Sequence, residues 1–376
     1  MNVPAGRRRL WREGWALAAL YAAVVVPIAL HKGSDFDLHV DLVQRLLRHE
    51  PLYVAPPPDF GTWWPPFPLV ALVPFAWLAC VSAPLAKAAF AVANVAALAF
   101  AVTRARADFG PMALAAVAAV AVPLQTNFEY LNLNAPLLAL LLLGAGDLSA
   151  GREQRAGLWI GLMTALKAFP GLLLALLAWR REWRAVAVAV TVALTVTLVS
   201  TTVLAGPAAA LGTLRRWSAV SLAAVPEMRG RSQSLPALLF RLGVPLPWQG
   251  ALEVAALAVV LVTMARRGPD PQAGLAAMMV LAVLLSPVAH THYYLLAYPA
   301  WCVLLTRRPP PSVRRVVWCG ALGVAAVLTS GFLTLGAYAW RRSLHDTGIY
   351  AWGGAAVLLL TLLVLERPRQ VAASPP

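Results

Sequence analysis

Charge is what this chain lacks most. Asp, Glu, Lys and Arg make up 12% of its 376 residues, about half of the roughly 25% found in soluble domains. A chain so short of charge cannot face water on every side, which excludes a soluble globular protein. Acids are scarcer than bases, 16 against 31, for a net charge of +15. The bases come in short clusters between apolar runs rather than in a stripe interleaved with aromatics, so nucleic acid is not the expected partner. The three cysteines, Cys80, Cys302 and Cys319, all lie in apolar stretches. Without a C-x-x-C pair or Cys/His ligand spacing, a disulfide scaffold and a zinc site are excluded, and no metal or cofactor is expected. Walker, G-x-S-x-G and H-E-x-x-H motifs are missing as well. ATP-driven transport, serine hydrolysis and zinc proteolysis therefore lose their usual markers.

What is present is apolar. Hydrophobic residues make up 60% of the chain and the mean hydropathy is +0.70. This is the composition of a multi-pass all-α membrane protein. Arg7, Arg8, Arg9 and Arg12 precede the first apolar run. With no small-x-small cleavage site after that run, it reads as an uncleaved first helix with a cytoplasmic N-terminus. The later clusters Arg104/Arg106, Arg152/Arg155, Arg266/Arg267, Arg307/Arg308 and Arg367/Arg369 fall on the same side under the positive-inside rule, whereas Arg341/Arg342 fall outside. The runs give about twelve crossings in one transmembrane domain over 1–370. Its long external loops are expected at 31–66 and 206–248, and a disordered tail at 371–376. The segment 65–81 is apolar but broken by Pro68 and Pro74, and reads as membrane-embedded on the outer side.

The stretch 157–184 stands out. It has bases at both ends and "LKAFPG" in the middle, which one span should not have. A hairpin of two short helices, broken near Lys167–Gly171, fits it better. Lys167 then lies far from either flank, where a lysine costs roughly 2.5–3.5 kcal/mol on insertion scales. Snorkelling to the interface is one answer; holding an anion such as a lipid phosphate is the other.

Elsewhere the polar residues gather toward the outer side, which points to a site there. "SDFDLHVDL" places Asp35, Asp37 and Asp41 just after the first span. If this loop is helical, Asp37 and Asp41 are i and i+4 and share one face, while Asp35 suits an N-cap. "FEYLNLNAP" brings Asn132 and Asn134 to a membrane edge, where amides bind sugar hydroxyls or cap a helix. Gln233 sits in "SQS", 232–234, beside an amphipathic run. His290 and His292 stand in "SPVAHTHYY". At i and i+2 they point apart on a helix, which disfavours zinc, but in a turn both can face a phosphate or hydroxyl.

Taken in order, these pieces resemble the family 87 glycosyltransferases, integral-membrane enzymes of the C superfamily that use a polyprenyl-phosphate-mannose donor. "DLHVD" at 37–41 is similar to the family's Asp-Leu-x-Val-Tyr, "PLY" at 51–53 to its Leu-Tyr, and "WWPPFP" at 63–68 to its Tyr-x-Pro-Pro. "LNLN" at 131–134 stands at its Gly-Gln-x-Asn, with Asn134 kept and Gly-Gln lost. "GLWIG", Lys167, Pro170 and "RREWR" follow its hairpin, and "SQS" and "SPVAHTHYY" its later motifs. The resemblance implies C-superfamily architecture in the cell membrane, with the site on the extracytoplasmic face. It implies inverting transfer of a hexose, mannose in that family, from a polyprenyl-phosphate sugar to a lipid or glycan acceptor. Asp37 is then the general base, and Asp35, Asp41, Asn132, Asn134, Lys167, Gln233, His290 and His292 bind substrate. A transporter or flippase of lipid-linked or anionic substrates is the alternative, since a buried lysine and broken helices suit carriers too. A polymerase or ligase of lipid-linked glycans would use the same chemistry on another acceptor.

Overall fold

Backbone groups in lipid have no water to bond to, so apolar runs of this length satisfy them within helices. The computed structural model describes residues 5–48, 50, 81–222, 232–268, 270–310 and 312–365, and among these every regular element is helical. "PLY", "WWPPFP", the proline-broken segment up to residue 80, and the tail lie outside the described residues.

The first elements are α1 (Ala5–His31), α2 (Ser34–Leu47), α3 (Ala83–Phe109), α4 (Met112–Ala118) and α5 (Ala121–Tyr130). Next come α6 (Asn134–Ser149), α7 (Glu153–Leu166), α8 (Leu173–Trp179) and α9 (Trp183–Ala205). The expected second external loop contains α10 (Pro207–Leu222) and α11 (Leu235–Arg241). The chain continues through α12 (Leu246–Arg267), α13 (Pro271–Leu284), α14 (Tyr298–Thr306), α15 (Arg315–Ser330), α16 (Tyr338–Asp346) and α17 (Ile349–Leu363).

Among the described residues, four helices are long and apolar enough to cross a bilayer: the Glu13–His31 part of α1, α3, α9 and α12. Counting the bent pairs α4–α5 (67°) and α16–α17 (53°) as single spans raises the number to six. The expected count of about twelve crossings therefore goes beyond what helix length supports. Several of the runs behind it form short helices: α6 and α15 have 16 residues and α13 has 14. At 1.5 Å per residue these reach roughly 21–24 Å, less than a hydrocarbon core of about 30 Å.

The hairpin forms where the sequence places it. Pro170 has no N–H to donate back to Leu166, so α7 cannot run through it. Lys167 leaves the helix with extended backbone (φ −144°, ψ 131°), a 3₁₀ turn covers Phe169–Leu172, and α8 runs back. Two glycines let α7 lie close against α9. A Cβ at Gly157 would stand 2.5 Å from the Ala185 carbonyl oxygen, and one at Gly161 2.6 Å from that of Ala189. This is the small-x-x-x-small contact by which membrane helices approach each other.

Candidate functional site

Interruptions in the helices bring polar side chains together at one end of the bundle. The first is the turn between α1 and α2. Gly33 takes a positive φ of 50°, and its N–H donates to the Glu129 carbonyl at 2.8 Å, tying the start of α2 to the end of α5. α2 then buries Asp35, Phe36, His39, Leu42 and Val43, a face of i, i+4, i+7 spacing. Phe36 is fully buried against Phe90 of α3, ring centroids 5.7 Å apart. Asp35 therefore points inward because it shares a face with the residues that seat the helix.

The second break is at 131–133. Leu131 adopts the left-handed conformation (φ 53°), which a bulky residue rarely takes, and turns the chain so that Asn132 and Asn134 are both buried. From Asn134 to Asp147, α6 covers about 20 Å of its axis; α7 returns antiparallel and delivers Lys167 beside Asn134. The third break is the loop and 3₁₀ turn (Thr291–Ala297) that carry His290, His292 and Tyr293.

These residues form one network. Asn132 Nδ2 donates to Asp35 Oδ2 at 2.7 Å, and Lys167 Nζ donates to Asn132 Oδ1 at 2.7 Å and to Asn134 Oδ1 at 3.0 Å. Asn134 Nδ2 donates to the His292 carbonyl at 2.9 Å. The Lys167 ammonium also lies 4.0 Å from the centroid of the Tyr293 ring. His292 Nε2 is 3.8 Å from Asp35 Oδ2, and the Tyr130 ring lies tilted against that of His292 with centroids 5.4 Å apart. Burial pushes the Asp35 carboxyl above the usual carboxylate range, opposed by the Asn132 hydrogen bond and the Lys167 charge. Burial likewise holds His39, which bonds the Asp35 backbone carbonyl, down to about 4. The arrangement offers a carboxylate of raised basicity one amide away from an ammonium.

The structure sorts the residues singled out in the sequence. Asp35, Asn132, Asn134, Lys167 and His292 come together, with His290 at the edge, its ring 5.6 Å from that of His292. Lys167 does not snorkel; it is 5% exposed and faces inward. Asn134 is not a cap, since Leu133 holds that position without a side-chain bond. Nor is Asp35 a cap; it lies in the first turn after Gly33. Asp37 and Asp41 do share a face, but it is the exposed one. Asp37 pairs with Lys87 of α3 at 2.8 Å and Asp41 with Arg45 at 2.9 Å, both away from the network. Gln233, expected to bind substrate, is engaged elsewhere in the fold. Its side chain is spent on backbone, donating to the His345 carbonyl at 2.9 Å and accepting from Tyr350 N–H at 3.4 Å. It fastens the 232–234 turn to α16 and α17. Tyr130 and His39 were not foreseen. The burial period of α2 was the signal available for His39, and nothing local marks Tyr130. Among the described residues no group of three or more His, Cys, Asp or Glu could hold a metal ion.

Residues 63–287, more than half of the chain, match glycosyltransferase family 87. The chain belongs to that family. As a family 87 member it is a membrane glycosyltransferase, so the carrier alternative gives way. No curated protein and no solved structure matched it. The matched span includes Asn132, Asn134 and Lys167, whereas Asp35 lies 28 residues before it and His292 five residues after it. The family's Gly-Gln, replaced here by Leu131-Asn132, gains a physical reading. The first position needs positive φ, for which glycine is the ordinary residue, and the second supplies an amide, which Asn132 keeps.

Proposed function

We propose that the chain transfers a hexose, mannose by resemblance, from a polyprenyl-phosphate donor to a lipid or glycan hydroxyl, with Asp35 as general base. In this reading Asp35 takes the proton of the acceptor hydroxyl as its oxygen attacks the anomeric carbon. The bond from that carbon to the phosphate oxygen breaks, and the polyprenyl phosphate leaves with the electron pair. One displacement inverts the anomeric centre, and one base suffices, unlike the paired carboxylates of glycosidases. Lys167 supplies positive charge toward the departing phosphate, and His292 lines the same space.

The observation that carries this reading is the burial of Asp35 within hydrogen-bonding reach of Asn132 and close to Lys167 and His292, in a family 87 chain. The same observation favours Asp35 over Asp37 as the base. Asp37 is half-exposed, and its carboxylate is engaged by Lys87 at 2.8 Å on the outward face of α2.

The site belongs on the extracytoplasmic face of the cell membrane, because the arginine clusters of the sequence, Arg341/Arg342 excepted, fall on the cytoplasmic side under the positive-inside rule. Purified protein, given a polyprenyl-phosphate-linked mannose and membrane lipid extract, should release polyprenyl phosphate and glycosylate a lipid. Absence of transfer from that donor, with transfer from a nucleotide sugar, would overturn the donor assignment. A cysteine at Ser34 should react with an impermeant thiol reagent in intact cells and one at Ser312 should not; the reverse would put the site inside.

A further inference from the structure

Asn132 stands between two opposite charges. Its Nδ2 donates to the Asp35 carboxylate and its Oδ1 accepts from the Lys167 ammonium, each at 2.7 Å. Turning the amide over would put oxygen against carboxylate and N–H against ammonium, so its two partners fix its orientation. Buried opposite charges this close would otherwise join in a direct ion pair. A carboxylate in such a pair is a weaker base, and an ammonium in one has less charge for an incoming anion. Among the described residues Lys167 is held by neutral groups only, the two amide oxygens and the Tyr293 ring face. Asp35 accepts one side-chain hydrogen bond among the described residues, from the same amide.

We infer that Asn132 is a positioning residue that keeps base and cation apart, so that Asp35 stays free to take a proton and Lys167 stays free to attract a phosphate. The inference rests on the reading of Asp35 as the base. The other groups facing Asp35 are His39 on its own helix, Tyr130 at the end of α5, and His292 and Tyr293 on the 3₁₀ turn. Asn132 is the one that touches both charges.

The test is the pH dependence of kcat/KM in purified variants, since its acid limb reports the base of the free enzyme. Asn132→Asp sets a second carboxylate against Asp35 and should move the acid limb up by roughly one pH unit or more. Asn132→Leu removes the spacer, lets Lys167 pair with Asp35, and should move the limb down by a similar amount. Both should lower kcat/KM by about tenfold or more. Asn132→Gln restores an amide and should keep the limb within a few tenths of the parent. A residue that only supported the fold would not shift the limb in opposite directions. If Asn132→Leu does not fold, the isosteric Asn132→Asp decides alone: an upward limb supports the inference and an unmoved limb overturns it. Limbs that stay put, or move the same way in both variants, overturn it as well. Asp35→Asn separates the two readings. If it is fully active, both readings fall. If it is inactive while the Asn132 variants leave the limb unmoved, the spacer falls and the base stands.

Discussion

Two carboxylates are buried at opposite ends of α6, and they are treated differently. Asp147, whose side chain is 4% exposed, accepts from Arg152 at 2.6 Å, lies 3.4 Å from Arg155 and accepts from the Trp159 indole at 2.8 Å. Those partners join the end of α6 to the start of α7, so the charge is spent on holding a hairpin. Asp35, similarly buried, accepts from one neutral amide, and its cation stands one residue further off. A buried carboxylate with few donors costs stability, and the cost is tolerable where its basicity is used. The contrast is one between a carboxylate that holds structure and one held ready to react.

The largest expected effects lie on the two members of that contrast. Asp35→Asn keeps the shape and most of the hydrogen bonding but removes the basic oxygen, and general-base contributions run about 10²- to 10⁴-fold. Transfer should fall at least roughly 100-fold, with donor binding and thermal stability kept. Asp37→Asn and Asp41→Asn should each lose about tenfold or less, because positioning groups carry less of the barrier. Steady-state assays on the three purified variants decide. An active Asp35→Asn beside a dead Asp37→Asn would return the role of base to Asp37. The acid limb in the parent should lie above the ordinary carboxylate value of about 3.9. Burial raises the Asp35 pKa, and the base works only when deprotonated, so activity is lost as pH falls through the raised value.

Lys167→Met comes next. It removes a charge that no carboxylate among the described residues neutralises directly, and hydrogen bonds to charged groups are worth about 1.5–3 kcal/mol. Donor KM should rise by tenfold or more while the protein still inserts and purifies as a single species. An unchanged donor KM would leave Lys167 as a fastener for the two asparagines. Asp147→Asn should behave oppositely. Activity per folded molecule stays, while stability drops by about 1–2 kcal/mol, a moderate figure because both arginines are half-exposed. Loss of turnover without loss of stability in Asp147→Asn would break the comparison.

Much of this was legible before any coordinates. The membrane class, the hairpin broken at Lys167 and the gathering of Asn132, Asn134 and His292 follow from apolar runs, a misplaced lysine and a proline. The face of α2 was harder. The i, i+4 pair Asp37/Asp41 is conspicuous, but Phe36, His39 and Val43 show that the buried stripe passes through Asp35. Spacing alone tells which residues share a face and not which face is packed; that depends on Phe90 of α3, 54 positions along from Phe36. The span count goes unconfirmed for a related reason. Hydropathy registers apolar runs, yet a run buried among other helices need not be long enough to cross lipid. Of the 18-residue windows that qualify, 44% of the α3 window is buried but 11% of the α9 window.

The smallest effect concerns how the Asp35 partner is aimed. Leu131 takes φ 53° while being fully buried beneath α2, next to Gly33. A left-handed conformation costs an L-residue roughly 1–2 kcal/mol, and burying a leucine offsets it, since Leu→Ala in a core costs about 2–5 kcal/mol. The two terms make a differential prediction. Leu133 is also buried, at 3% exposure, but its φ is −79°. Leu131→Gly loses the side chain and relieves the strain, whereas Leu133→Gly loses the side chain and gains only backbone freedom in the unfolded chain. Leu131→Gly should therefore be less destabilising than Leu133→Gly by about 1–2 kcal/mol, read as the difference in unfolding midpoints in the same detergent. Its kcat should stay within a few-fold of the parent, because glycine holds the same turn and leaves Asn132 facing Asp35. Equal destabilisation at the two positions would mean that Leu131 is unstrained. The turn at 131–133 would then owe its shape to the packing of α2 and not to the residue that makes it.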